Sequence, residues 1–278
     1  MKSIPRRALL LGCLTLWLAG CATPEIRLDR EAERLHLIRT VVKGSDFVHV
    51  AYLSRTQNQT GELHVYLDGD GSPWLHHRWI SDNPTPRNPL VLRLMAQDPM
   101  PSVYLGRPCY HGYGAKPPCS ADLWTGRRYS KTVVESMTAA FRQIHRSLHP
   151  RRTVLIGFSG GGALAMLMAE QLNIVNGIVT IAGNLDPDAW AKHHHYSPLT
   201  GSENPARRPP LPKNIFQLHL AGEKDTNIPP DLIHPAVRRQ PSAKWVVIPE
   251  ADHDCCWENR WHAILDMIAT RPDPPGPE

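Results

Sequence analysis

Thr153-Val154-Leu155-Ile156-Gly157-Phe158-Ser159-Gly160-Gly161-Gly162-Ala163-Leu164-Ala165-Met166 is the stretch on which the fold turns. Its first four residues are β-branched or apolar and read as a buried strand, and its last residues open a helix. Between them, Gly157-Phe158-Ser159-Gly160-Gly161 turns the chain sharply. Such a Gly-x-Ser-x-Gly pattern alone arises by chance in roughly one chain in ten of this length, so the setting carries the weight. A serine on a tight strand-to-helix turn is held in a strained backbone conformation, and side chains at the flanking positions would strike the neighbouring strand and helix. The turn also puts Ser159 at a helix amino end, where the Gly160 N–H and the helix dipole can stabilise an oxyanion.

Outward from this turn the chain alternates strands and helices. Strands are predicted over 35–42, 47–54, 62–67, 102–105, 153–158, 177–182, 216–221 and 244–248, and helices over 88–96, 130–148, 161–172, 231–238 and 258–269. The first two strands, joined by Lys43-Gly44-Ser45-Asp46, form an antiparallel hairpin. The rest are βαβ units, which makes an eight-stranded, mainly parallel sheet with helices on both faces. One stretch after the sixth strand, about 184–213, breaks the rhythm. It is rich in Pro and His, it lies above the carboxyl ends of the strands where ligands bind, and it is expected to be a lid. Residues 35–270 form one domain, preceded by a polar tether over 21–34 and followed by a Pro-rich tail over 271–278.

These residues resemble the α/β-hydrolase superfamily, from about Leu35 to Ala269. The resemblance implies that Ser159 is a nucleophile, with the chain order Ser, Asp, His that this superfamily uses. Its acid follows the strand after the lid, where Asp225 stands in Gly222-Glu223-Lys224-Asp225; its histidine follows the last strand, where His253 stands in Ala251-Asp252-His253-Asp254. Asp186 and Asp188 are rivals for the acid, whereas Asp252 and Asp254 are expected to shape the histidine loop. A second oxyanion donor is expected from the turn Asp68-Gly69-Asp70-Gly71, with the Asp70 N–H preferred to that of Gly69. Asp68 departs from the superfamily pattern, in which many relatives carry His before the Gly. No cofactor and no metal are implied, because the adjacent His193, His194 and His195 cannot all face one ion. Trp74, Trp79, Trp190 and Trp257 are candidates for a cleft lining or for core, and His76, His77 and His111 for surface or cleft.

The amino terminus has its own pattern. Lys2, Arg6 and Arg7 precede an apolar run from Ala8 to Leu18, and Leu18-Ala19-Gly20-Cys21 resembles a bacterial lipobox. Residues 1–20 are therefore expected to be a signal peptide, with Cys21 lipidated and the protein held on the bilayer, on the periplasmic side of the outer membrane since Ala22 is not Asp. The whole chain has 31 Lys+Arg against 26 Asp+Glu, a formal charge of +5. Loss of the three cations of the signal leaves +2, which is no footprint for nucleic acid. Of the remaining cysteines, Cys109 and Cys119 share a short Pro/Gly-rich loop and are expected to pair, leaving Cys255 and Cys256 as a vicinal disulfide or as free thiols.

The function implied is that of a membrane-anchored serine hydrolase acting on a small-molecule ester or related acyl substrate. The alternative is a catalytically silent hydrolase fold serving as a binding or envelope-scaffold lipoprotein. Protein partners leave no mark in the sequence.

Overall fold

The computed structural model describes residues 22–56, 61–76, 78–241 and 243–271. The signal, Cys21 and His77 lie outside the described residues, as does the tail beyond Arg271. Eight strands form the central sheet: β1 (Ile38–Lys43), β2 (Val48–Leu53), β3 (Glu62–Leu67), β6 (Ser102–Leu105), β7 (Arg152–Phe158), β8 (Gly177–Ile181), β9 (Phe216–Gly222) and β10 (Ala243–Ile248). Their spatial order is β1-β2-β6-β3-β7-β8-β9-β10. The pairs β1 with β2 and β2 with β6 are antiparallel, and every other neighbour is parallel. A separate two-stranded ribbon, β4 (Trp74–Leu75) with β5 (Trp79–Ile80), stands between β3 and the first core helix of the βαβ series.

Side chains alternate across the sheet with the period of two that strands impose. Leu63, Val65 and Leu67 of β3 enter one core together with α3 (Lys131–Leu148), α4 (Gly160–Ala169) and α6 (Pro230–Arg238). Tyr66 points the other way, into a second core built with α1 (Pro24–Arg34), α2 (Leu90–Ala96) and α7 (Trp261–Ala269). Every residue of α4 is buried. A helix apolar all round has to sit inside the molecule, and this fixes the turn at Ser159 against the middle of the sheet.

Three stretches differ from the sequence-based expectation. The tether is helix α1: Pro24 occupies its first turn, Leu28 and Ala32, four apart, are buried, and Asp29 accepts from the Tyr52 hydroxyl at 2.5 Å and from Arg39 Nε at 3.0 Å. Two small apolar positions in a charged run give a weak periodic signal, so the helix reads as polar stem. The stretch 184–213 carries α5 (Pro187–His193), capped by Asp186 accepting from the Ala189 N–H at 3.1 Å. An Asp before a Pro is a helix-start signal that was present in the sequence. The ribbon β4–β5 has strands of two residues, too short for any periodicity to show.

Candidate active site

Ser159 stands between β7 and α4 with φ 50° and ψ −120°, a backbone conformation unfavourable for a residue with a Cβ. The surroundings impose it. Its N–H donates to Ile181 O at 2.9 Å, its carbonyl accepts from the Asn184 N–H at 2.9 Å, and the backbone at Gly157 and Gly161 has no room for a side chain. A Cβ on Gly157 would lie 2.3 Å from Gly161 O, and one on Gly161 would lie 2.1 Å from Leu67 O. Both glycines are therefore required by close approach of backbone to backbone.

The Ser159 hydroxyl faces His253 Nε2 at 3.1 Å, and His253 Nδ1 faces Asp225 Oδ2 at 2.9 Å. Asp225, 3% exposed, follows β9 and is held from its other oxygen by the N–H groups of Asn227 at 2.9 Å and Ile228 at 2.8 Å. Two backbone donors on one oxygen and the imidazole on the other fix the orientation of this buried carboxylate. The histidine loop is pinned by Trp257, fully buried, whose Nε1 donates to the carbonyls of Asp252 and His253 at 3.0 and 3.2 Å. Asp252 Oδ1 accepts from the Asp254 and Cys255 N–H groups within that loop. The rival carboxylates are elsewhere: Asp186 caps α5 and accepts from Asn204, and Asp188 pairs with Asn204 and Arg207.

The two candidate oxyanion loops behave differently. Gly160 is the first residue of α4, where backbone N–H groups have no helical partner. The Gly69 N–H donates to Asp68 Oδ1 at 2.7 Å, so its donor is already engaged; Gly69 serves instead by being small, since a Cβ there would sit 3.2 Å from that of Ser159. Gly69 is the less favoured of the two donors, and here the Asp68 carboxylate folds back over its own turn to take its N–H. Burial pushes the Asp68 carboxyl up to about 7, although the Gly69 N–H and the Tyr104 hydroxyl, at 3.1 Å, oppose the shift. Asp70 is clamped by its side chain: Arg107 Nη1 donates to it at 2.5 Å, Arg128 Nη1 at 2.9 Å and the Tyr129 hydroxyl at 2.7 Å. Its carbonyl accepts from the Tyr110 hydroxyl at 2.9 Å. Burial alone would raise this carboxyl, but the Arg128 and Arg107 charges outweigh it and hold it near 2. These partners lie 37 to 59 residues from Asp70, and no local pattern announces them.

Ser159 opens into a cleft of about 740 Å³. Phe158, Ile228 and His253 line it, as do Pro73, Trp74, Trp190, His195, Tyr196 and Leu199. The stretch expected as a lid thus supplies a wall of the cleft. Trp190 and Trp74 line the cleft, Trp257 is core, and Trp79 is exposed. The neighbouring His194 turns away to Asn227 O at 2.7 Å. His111 is buried, with both ring nitrogens unpaired, and His76 is in the turn of the ribbon. Among the described residues no group of three or more His, Cys, Asp or Glu side chains is arranged to hold a metal ion. The sulfurs of Cys109 and Cys119 are bonded, with Cα atoms 5.5 Å apart, as are those of Cys255 and Cys256.

The sheet order, the antiparallel start and the strand–turn–helix at Ser159 together define the α/β-hydrolase fold. Comparison with solved structures agrees. The chain is similar to an esterase of Pyrococcus furiosus (13% identity, covering 91% of this chain and 94% of that one, TM-score 0.60). It is also similar to a proline iminopeptidase of Mycobacterium smegmatis (13%, 84% and 96%, TM-score 0.61). A third likeness is to a membrane phospholipase A described as a bacterial virulence factor (14%, 89% and 92%, TM-score 0.59). No protein-family model and no curated protein sequence matches the chain. The three structures differ in what they are named for, so the shared fold does not choose a substrate.

Proposed function

We propose that the protein is a serine hydrolase that cleaves carboxylic esters or related acyl bonds through Ser159, His253 and Asp225. The observation that carries this reading is the continuous chain of contacts from the Ser159 hydroxyl through both nitrogens of His253 to buried Asp225, at 3.1 and 2.9 Å, opening into a cleft. In this mechanism His253 Nε2 takes the hydroxyl proton as Ser159 Oγ attacks the acyl carbon. The carbonyl oxygen, now negative, accepts from the N–H groups of Gly160 and Asp70. Collapse expels the alcohol, which leaves with the proton returned by His253, and the acyl group remains on Ser159. Water, deprotonated by the same histidine, then releases the acid and restores the hydroxyl. Asp225 holds the imidazole with its Nδ1–H inward and stabilises the cation formed at each step. The stretch 184–213 acts as the lid of this site, and Cys21, lipidated, tethers the enzyme to the outer membrane facing the periplasm.

A fluorophosphonate probe and a series of p-nitrophenyl esters of increasing chain length test the reading. Labelling of the wild-type chain and none of Ser159→Ala is the expected result. A chain that neither labels nor turns over any ester would instead be the silent, ligand-binding form of the fold. Mass spectrometry of the mature amino terminus tests the anchor, and an unmodified terminal residue other than Cys21 would refute it.

A further inference from the structure

The ribbon β4–β5 exposes side chains that water does not favour. Trp79 is 62% exposed, Ile80 46% and Trp74 43%, and the strand pairing sets Trp74 opposite Ile80 and Leu75 opposite Trp79. The Arg78 guanidinium lies 5.3 Å from the centre of the Trp79 ring. Tyr196 is 48% exposed and lines the cleft, as does Trp74 itself. From Pro73 to Ile80 the sequence holds His76, His77 and Arg78 and no carboxylate; Asp82 is the first acid beyond it, and Arg87 lines the cleft beneath. An aromatic and cationic tip of this kind suits a bilayer surface, where indole rings sit at headgroup level and basic groups meet anionic lipid. The three apolar side chains offer a few hundred Å², well short of the roughly 800 Å² per partner that a standard protein interface buries.

The first turn of α1 points to the same side. Glu25 accepts from Asn83 Nδ2 at 2.5 Å, and Asn83 follows Ile80 by three residues. The described chain thus begins, at Ala22, close to the base of the ribbon. Cys21 is four residues from Glu25, a span of at most about 14 Å. A lipid on Cys21 would enter the bilayer beside the ribbon and the cleft mouth.

We infer that the β4–β5 ribbon, through Trp74, Trp79, Ile80 and Arg78, docks on a phospholipid bilayer and sets the mouth of the Ser159 cleft against it, so that the substrate is a lipid ester drawn from that surface. The docking stands on the exposed ribbon and on Glu25 lying against Asn83, with Cys21 lipidated as proposed above; the choice of substrate rests on the hydrolase reading above.

Residues 21–278 with Cys21→Ser keep every described residue and remove the anchor, so that any binding comes from the folded surface. Flotation with vesicles of phosphatidylcholine, alone or mixed with phosphatidylglycerol, should carry this protein up with the mixed vesicles, and brominated acyl chains should quench its tryptophan fluorescence. The double variant Trp79→Ser with Ile80→Ser should lower the bound fraction about tenfold, as loss of two apolar anchors implies. Arg78→Glu should weaken binding to the mixed vesicles more than to phosphatidylcholine alone. An unchanged melting temperature in these exposed variants shows that the fold is intact. Ser159→Ala should float as the parent does, which separates docking from catalysis. Failure to float with either vesicle overturns the docking, as does equal flotation of the double variant. A dimer that the double variant abolishes would also overturn it in favour of a second copy of this chain. Docking with ester turnover but without release of fatty acid from the vesicles overturns the lipid substrate alone. Absence of both labelling and turnover of p-nitrophenyl esters overturns the hydrolase reading and leaves the docking result standing.

Discussion

The Ser159 hydroxyl and His253 Nε2 stand 3.1 Å apart, and in the proposed mechanism one proton passes between them, so removing either end leaves the other without a task. Ser159→Ala and His253→Ala should each lower kcat/KM by about three or more orders of magnitude, and the double variant should fall no further, because groups that act as a unit are not additive. Asp225→Asn should also be severe, while Asp186→Asn, which alters the cap of α5 and its contact with Asn204, should leave turnover within a few fold; steady-state assay of the five variants decides it. Asp68 makes a second residue-scale prediction. Its carboxyl is raised from 3.8 to about 7 by burial. The folded state therefore holds this proton more tightly than the unfolded chain does. That stabilisation is complete below the unfolded value and is lost as pH rises through about 7. Urea midpoints of wild type and Asp68→Asn should thus diverge between about pH 4 and pH 7, with the wild type losing ground as pH rises.

At the scale of elements, the loop after β3 is held by charges from two other parts of the chain. Arg107 and Arg128 are both buried and both bonded to Asp70, whose N–H is the proposed second donor to the oxyanion. Asp70→Ala leaves two guanidinium groups facing a void. Breaking a buried pair in this way costs about 3–5 kcal/mol, and thermal denaturation should show the loss. The milder Arg107→Lys, which keeps the charge but not the fork that also reaches Arg128 O, should lower kcat more than it raises KM. None of this clamp is visible in the amino-acid order. The pattern of Val, Ile and Leu made the sheet legible, and the turn at Ser159 together with the carboxyl ends of β9 and β10 singled out residues that stand within hydrogen-bond distance. Arg107, Arg128 and Tyr129 carry no such mark, since contacts that long in sequence arise only once the sheet is assembled. The engaged N–H of Gly69 was equally hidden, because it depends on one rotamer of Asp68. Helix α1 leaves only a faint mark in the sequence, because only Leu28 and Ala32 declare its inner face.

For the molecule as a whole, the buried charge lies on both sides of the sheet's length. The cleft holds Asp68 and Asp70 past the carboxyl end of β3, while His64, near the start of the same strand, sits between Asp98 at 2.6 Å and Glu62 at 2.9 Å. Burial disfavours its charged form, but the hydrogen bonds to Asp98 and Glu62 outweigh this and raise His64 above 6.5. With a carboxylate at each ring nitrogen, only the doubly protonated ring can donate to both. The stabilisation by His64 is therefore whole below pH 6.5 and fades as pH rises through its raised value. Glu62, also bonded to Arg271, is held down to about 2, so its contribution is present above 4.5 and fails as pH falls toward 2. His64→Gln should be most destabilising in mildly acidic solution and converge on the wild type in alkali, as denaturant titrations at several pH values would record.

The two disulfides join Cys109 to Cys119 and Cys255 to Cys256, with sequence separations of 10 and 1. These four cysteines pair in chain order, the first with the second and the third with the fourth. A polypeptide delivered amino end first can close each bridge before a competing thiol arrives, and of the three pairings open to four cysteines only this one follows the order of synthesis. Reduced protein refolded with oxidant alone should regain as much native material as with a thiol isomerase added. Maturation of this fold then calls on an oxidant and has no need of reshuffling.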